Sequence, residues 1–324
     1  MKKIIFMGTP AFSVGPLEAL VQSPKYEVVG VVTQPDRPVG RKHRLQPSPV
    51  KEAALKYDLP IFQPEKISRD EEVKKLIRAQ QVDLIVTAAF GQFLPESLLR
   101  LPTDGAINVH ASLLPKYRGG APVHYAIWHG EAETGVTIMR MVKQMDAGNI
   151  LAQQAIPIEP TDTVEKMFEK LSVLGTELLM TTLPSLFNGE LTEIPQDENQ
   201  ATFAPTITRS QERVDWSDTA EQIERQIRAF NSWPIAHTIM DGVRYKLWQS
   251  RVSETTTTKQ PGTVIKIQKK PAIFEVACGD GSVLQLDMIQ PAGKKPMPIA
   301  SFINGGSGDI QVGDVFESRD RYDA

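Results

Sequence analysis

Short β-branched runs alternate with stretches of helical period through the first half of the chain. Lys3 to Met7 predicts a strand, Gly8-Thr9-Pro10 a turn, and the next segment a helix carrying Leu17, Leu20 and Val21. Val28 to Thr33 is a second strand. Pro49 to Tyr57 and Asp70 to Gln80 show amphipathic periods. Val82 to Thr87 and Ala106 to His110 are further strands, and Ala121 to His129 a further helix. Strands that are apolar along their whole length, separated by helices, are buried on both faces. The pattern therefore predicts an α/β, doubly wound, mostly parallel sheet. Thr134 to Val142 and Leu151 to Ile158 extend it as a partly antiparallel edge. Thr163 to Phe187 predicts a long helix, with Val164, Met167, Phe168, Leu171, Leu174 and Leu178 on its apolar side.

The pattern changes after Gly189. Residues 190–208 are rich in Pro, Glu, Gln and Thr and hold no sustained period, which predicts a linker. Beyond it, Thr219 to Phe230 reads as a helix and Trp233-Pro234 as a break. Tyr245 to Ser250, Gly262 to Ile267, Ala272 to Ala277 and Ser282 to Ile289 alternate among Gly and Pro turns. Such short strands predict a small β-barrel. The expected organisation is a first domain over 1–189, a linker over 190–208 and a second domain over 209–324.

Composition adds limits. At 324 residues there is chain enough for two cores. A formal net charge of −3 lacks the overall basic signature of many nucleic-acid binders, but leaves room for a local basic loop. The single cysteine, Cys278, permits no intrachain disulfide and reads as a small core residue. The apolar run opening the chain is too short for a secretory signal or a membrane span, so a cytoplasmic setting without a membrane is expected.

The candidate chemistry lies in Asn108 to Pro122, NVHASLLPKYRGGAP, and in the later Met145-Asp146-Ala147-Gly148 turn. An amide, an imidazole and a carboxylate are what acyl transfer to an amine requires. Donors must face a developing oxyanion, and a base must collect the proton the amine sheds. A histidine closing a strand is more often structural, and Asp before Ala-Gly is usually turn chemistry. Position favours function, because ligands of open α/β sheets bind outside the carboxyl ends of the strands. No metal set is evident. His124 and His129, five apart on a helix, read as structural.

Three loops complete the picture. Gly8-Thr9-Pro10 lacks the GxGxxG pattern of a dinucleotide site. Thr33 to Lys51 places Arg37, Arg41, Lys42, His43 and Arg44 in a loop bounded by prolines. It is either a solvated surface loop or a contact for a polyanion such as nucleic-acid phosphate. Ala88 to Pro95, AAFGQFLP, leaves a strand where Phe90 and Phe93 would wall an apolar slot beside Gly91. Ser112-Leu113-Leu114-Pro115 would supply backbone donors and acceptors opposite. Together the Ala88 to Pro95 and Ser112 to Pro115 segments predict a pocket for a planar heteroaromatic ligand.

The segments FMGTPAF, TQPDRPVGR, PSPVK, AAFGQFLP, INVHASLLPKYRGGAP, ETGVTIMRM, MDAGNIL, RAFNSWP and QPAGKK resemble the methionyl-tRNA formyltransferase family over nearly the whole chain. The Asn-x-His-x-Ser-Leu-Leu-Pro and Asp set is shared by the wider family using 10-formyltetrahydrofolate, so it implies the chemistry rather than the acceptor. The basic loop and the second domain imply the tRNA enzyme, since glycinamide or an amino sugar needs neither. By this resemblance the first domain is Rossmann-like and the second an OB-like barrel that contacts tRNA. Asn108, His110 and Asp146 match the catalytic triad. Phe90, Gly91 and Ser112, Leu113, Leu114, Pro115 fall on the folate site. Arg37, Arg41, Lys42, His43 and Arg44 fall on the loop at the tRNA acceptor end. The implied partners are initiator methionyl-tRNA and 10-formyltetrahydrofolate, the latter a co-substrate rather than a resident cofactor. No obligatory protein partner is implied. Phe90 stands where Tyr is common, and Asn149 where an acidic residue is common.

Overall fold

The computed structural model describes residues 1–39, 44–305 and 310–319. The chain divides into two compact units. The first comprises Met1–Pro122, Glu133–Pro157 and Phe168–Pro205; the second takes Val123–Ala132, Ile158–Met167 and the chain from Thr206 onward.

In chain order the elements of the first half are β1 (Lys2–Gly8), α1 (Val14–Gln22), β2 (Tyr26–Val32), β3 (Arg37–Val39) and β4 (Arg44–Gln46). Next come α2 (Pro49–Lys56), β5 (Ile61–Phe62), α3 (Glu71–Gln80), β6 (Leu84–Ala88), α4 (Glu96–Leu99) and β7 (Ala106–His110). They are followed by α5 (Pro122–Trp128), β8 (Glu133–Arg140), β9 (Ile150–Pro157) and α6 (Val164–Asn188). Helix starts are set by side-chain caps: the Ser48 hydroxyl accepts from the Lys51 amide at α2, and the Asp70 carboxylate from the Val73 amide at α3.

Among the described residues the strands of the first unit form one seven-stranded sheet in the order β5-β2-β1-β6-β7-β8-β9. Pairing is parallel from β5 to β7 and antiparallel at β7–β8 and β8–β9, as the run of apolar strands and the later edge predict. The chain builds outward from β1 on one side and from β6 on the other. The carboxyl ends of β1 and β6 therefore flank the point where strand order reverses, the place where such sheets hold ligands. On one face Ile5, Met7, Ile85, Val73, Ile77, Leu94 and Leu98 form a continuous core. On the other, α6 approaches β7 and β8 so closely that a β-carbon at Gly175 would lie 3.0 Å from Val109 Cγ1.

Residues 190–205 are not a linker. Ile194 exchanges both backbone hydrogen bonds with Ile150, at 2.9 and 2.8 Å. Thr202 and Ala204 bond to the loop after β7: Arg118 N donates to Thr202 O (2.9 Å), Ala204 N to Arg118 O (2.7 Å), and Ala121 N to Ala204 O (3.0 Å). The segment is a strap across the first unit. Its stability comes from partners remote in sequence, which is why it carries no period of its own.

The second unit contains α7 (Ala220–Ala229), β10 (His237–Met240), β11 (Val243–Val252), β12 (Val264–Lys269), β13 (Ala272–Ala277), β14 (Val283–Pro291), β15 (Met297–Pro298) and α8 (Ile299–Gly305). Its sheet is antiparallel, ordered β10-β11-β14-β13-β12, with β15 on β14. The segment at 315–317 bridges to Thr263 beside one edge strand and to Ile239 in the other. This joins the two edges, as a small barrel requires. Trp216, Phe274, Phe302 and Phe316 fill its interior, with Trp216 and Phe316 stacked at 5.7 Å between centroids. β10 and α8 were not expected from the sequence pattern.

Candidate active site

β7 ends in Asn108-Val109-His110. Because side chains alternate across a strand, Asn108 and His110 share one face, and Val109 is turned toward α6 on the other. Asn108 lies opposite Thr87 of β6, and Thr87 Oγ1 donates to Asn108 Oδ1 at 2.7 Å. That bond orients the amide and leaves Nδ2 as the group available to donate.

His110 is 5% exposed, and its Nε2 lies 3.1 Å from the carbonyl oxygen of Tyr117. A carbonyl can only accept, so Nε2 carries a proton and donates it there. Nδ1 is the nitrogen left for chemistry, and it faces Asp146 Oδ1 at 3.8 Å. This is ion-pair range but too long for a hydrogen bond.

Asp146 sits in the turn between β8 and β9 with φ of +51°, a left-handed conformation that Asp tolerates better than most residues. Its Oδ2 accepts from the Gly119 amide at 2.9 Å. Gly119 has φ of +125°, and a β-carbon there would stand 2.6 Å from the Ala204 carbonyl oxygen of the strap. Only glycine fits between the strap and the carboxylate.

The layer behind these groups leaves little mark on the sequence. Arg118 is 1% exposed and makes a bidentate pair with Glu198 (2.9 and 2.8 Å). Its Nε and Nη2 also donate to Gln196 Oε1 at 3.0 and 2.8 Å. The hydrogen bond to Arg118 holds the exposed Glu198 carboxyl below its ordinary value. Gln196 Nε2 in turn donates to the carbonyls of Asp146 (2.8 Å) and Gly148 (2.7 Å). Gln196 and Glu198 belong to the stretch predicted as a linker. The only local signal was the Arg118-Gly119-Gly120 run.

The Ser112 to Pro115 segment is held by Thr137 of β8, whose hydroxyl donates to the Ser112 carbonyl (2.6 Å) and accepts from the Leu114 amide (3.1 Å). Gln153 of β9 donates to the Leu114 carbonyl at 2.9 Å. Leu113 packs over Gly135, and Leu114-Pro115 is a cis peptide. On the other side of the reversal point the Phe90 carbonyl accepts from Thr9 Oγ1 (3.0 Å) and Gln34 Nε2 (3.2 Å). These bonds tie together the loops after β1, β2 and β6. The Phe90 ring does not wall an open slot. It is 4% exposed within the core cluster, and Gly91 beside it has φ of +84°. Phe93, 53% exposed, stands in solvent.

Asn149 donates from Nδ2 to Glu193 Oε2 at 3.1 Å, beside the Arg140–Glu193 pair at 2.8 Å. Burial alone would raise the Glu193 carboxyl, but Arg140 and Asn149 reverse this and hold it low. An acidic residue at 149 would face that carboxylate directly.

Of the basic loop, Arg37 lies in β3 and Arg44 in β4, which pair antiparallel with Val39 opposite Arg44. Arg41, Lys42 and His43 lie outside the described residues. The ribbon is anchored at its base by Asp36, which pairs with Lys51 (2.7 Å) and accepts from Gln63 (2.8 Å). These bonds, that to Lys51 foremost, hold the Asp36 carboxyl below its ordinary value. Arg37 itself makes one exposed pair with Glu65 at 3.2 Å. His124 and His129 fall in the second unit, and His110 in the first. Among the described residues no three His, Cys, Asp or Glu side chains converge as metal ligands do.

Residues 2–183 match the formyl transferase family, and residues 206–307 match the formyl transferase C-terminal domain. The chain belongs to the formyl transferase family. It is 58% identical to the methionyl-tRNA formyltransferase of Enterococcus faecalis over 100% of both chains. It is 54% identical to that of Staphylococcus aureus strain Newman, over 96% of this chain and 98% of the relative. In fold it is similar to the N-formyltransferase of Helicobacter canadensis in complex with folinic acid and dTDP-3-aminofucose. The TM-score there is 0.66 at 19% identity, covering 88% of this chain and 99% of that one. HypX of Aquifex aeolicus in complex with tetrahydrofolic acid gives a TM-score of 0.61 at 16% identity, over 98% of this chain and 50% of that one.

Proposed function

We propose that the protein transfers the formyl group of 10-formyltetrahydrofolate to the α-amino group of methionine esterified to initiator tRNA. Among the observations, the reading is carried by one arrangement: Asn108 and His110 on one face of β7, with Asp146 Oδ1 3.8 Å from His110 Nδ1. The substrate amine attacks the formyl carbon, forming the new C–N bond and a tetrahedral oxyanion. Asn108 Nδ2 and protonated His110, through Nδ1–H, donate to that oxygen. Asp146 receives the proton the amine sheds, directly or through water. The intermediate collapses by breaking the bond to folate N10, which leaves protonated by the proton that Asp146 passes on, directly or through water. The reaction needs no metal and no covalent enzyme intermediate.

The folate would lie at the reversal point of the sheet, between the Phe90-Gly91 backbone and Ser112 to Pro115. The initiator tRNA would be met by the ribbon of Arg37 to Arg44 and by the second unit. Contacts of this kind to phosphate position a nucleic acid without reading its sequence. The proposed setting is the cytoplasm, where aminoacylated tRNA is used; among the described residues no helix is long and apolar enough to cross a membrane.

The test is transfer of labelled formyl from 10-formyltetrahydrofolate to methionine charged on initiator tRNA, with elongator tRNA alongside. Label on the initiator alone is the expected result. Label on neither tRNA, from folded protein that binds folate, would redirect the search to small amine acceptors. Equal label on both would overturn the selectivity.

A further inference from the structure

Two separate pieces of chain hold the His110–Asp146 pair in place. The loop after β7 supplies the Tyr117 carbonyl that fixes His110 Nε2 and the Gly119 amide that fixes Asp146 Oδ2. The turn between β8 and β9 supplies Asp146 itself. Neither is regular structure, and left alone each would be free to shift relative to the other.

Beside the Gly119–Asp146 hydrogen bond, a second link joins them. Gln196 Oε1 accepts two hydrogen bonds from the buried Arg118 guanidinium, in the loop. Its Nε2 donates two to the carbonyls of Asp146 and Gly148, in the turn. The orientation of the amide is settled by its surroundings: the oxygen meets only donors and the nitrogen only acceptors. Gly148 packs against the Arg140 carbonyl so closely that a β-carbon there would collide with it, so only glycine fits at this end of the turn. Asp146 is further committed by its left-handed backbone. The strap carrying Gln196 is itself fixed at Ile194 on β9 and at Thr202 to Ala204 on the loop.

We infer that Gln196 is a positioning residue for the formyl-transfer step: it cross-links the Asp146 turn to the Tyr117–Gly119 loop and so sets the distance between His110 and Asp146. It touches no reacting atom and acts through Asp146. The inference rests on the reading of Asn108, His110 and Asp146 given above.

Gln196→Glu is the informative variant. A carboxylate retains both bonds from Arg118 but has no donor for the two carbonyls, so only the Asp146 half of the link is cut. Misplacement of a reacting group by about 1 Å costs on the order of 100-fold. We expect kcat to fall about 10- to 100-fold, with the KM for tRNA and for folate within about twofold of wild type, as befits an effect on the chemical step. A merely structural role would instead lower the melting temperature and scatter its effect over both constants. The second readout is a double-mutant cycle with Asp146→Asn in single-turnover assays. If Gln196 acts through Asp146, adding Q196E to D146N slows the reaction no further.

Unchanged kcat in Q196E overturns the inference, as does a full multiplicative loss in the D146N background or a defect confined to KM. Should Q196E fail to fold, Gln196→Met, of similar length and uncharged, removes both halves of the link and is put through the same two readouts. An inactive wild-type enzyme would overturn the functional reading itself, and the inference with it. An active wild type with an equally active Q196E would overturn the inference alone.

Discussion

A histidine whose Nε2 is committed to a carbonyl has one nitrogen left to work with. In His110 that nitrogen, Nδ1, faces a carboxylate 3.8 Å away, and Asn108 presents its amide from the same strand face two residues earlier. Oxyanion donors fixed in advance cost no reorganisation when charge develops, so removal of one lowers turnover by roughly 10²- to 10³-fold. Asn108→Ala and His110→Ala are each expected to show that loss in single-turnover assays, with the fold retained. Near-normal turnover in either would refute the assigned roles. At this scale the sequence was partly legible. The strand-ending Asn-x-His and the Asp turn stood out as chemistry beside small residues. The Tyr117 carbonyl, the Gly119 amide and Gln196 did not, because backbone groups have no residue signature and Gln196 sits in an aperiodic stretch. Phe90 misled for a different reason. An aromatic residue after a strand reads equally as pocket wall or core, and only packing decides.

At the scale of elements, hydrophobic period located nearly every buried strand and the long helix α6, since burial on two faces writes an unbroken apolar run. It missed pieces stabilised mainly by distant partners: the two-residue β5, the β3–β4 ribbon, and the strap from Ile194 to Ala204. Arg37 stands on a ribbon whose base is locked by Asp36, Lys51 and Gln63. A fixed base fits a loop that positions a polyanion. Removing the cation that neutralises one phosphate should flatten the salt dependence of binding by about one unit of slope. Arg41→Ala should therefore raise the KM for tRNA and lessen its salt dependence while leaving the folate constant unmoved. A change in the folate constant alone would contradict the assignment. In the second unit, α7 begins with a complete capping box: Thr219 Oγ1 accepts from the Gln222 amide, and Gln222 Oε1 accepts from the Thr219 amide. Thr219→Ala should cost about 1 kcal/mol in urea unfolding, with tRNA-independent folate binding unchanged.

For the whole molecule, His124, His237 and His129 shape the response to mild acid. His124 is pushed down to about 4 by burial, against an opposing hydrogen bond with the Trp233 backbone. His237 is also pushed down to about 4, by burial first and then by the positive charges of Arg244, Arg213 and Lys246. Burial lowers His129 as well. In the unfolded chain these rings titrate near 6.5, so between pH 6.5 and 4 the unfolded state binds protons that the folded state refuses. Stability then rises with pH across that window and is lost as pH falls through it, at about 1.4 kcal/mol per pH unit for each proton. Glu224 opposes the trend near the lower end, because burial raises its carboxyl despite Arg228. The unfolding free energy, followed by urea titration between pH 6 and 5, should accordingly decline as pH falls, with a slope approaching one proton each from His124 and His237 and a further part from His129. Replacing His124 by Gln should reduce that slope by close to one proton, whatever it does to stability at pH 7. An unchanged slope would mean that His124 is charged in the folded protein, against the apolar surroundings given it by Phe230 and Trp233.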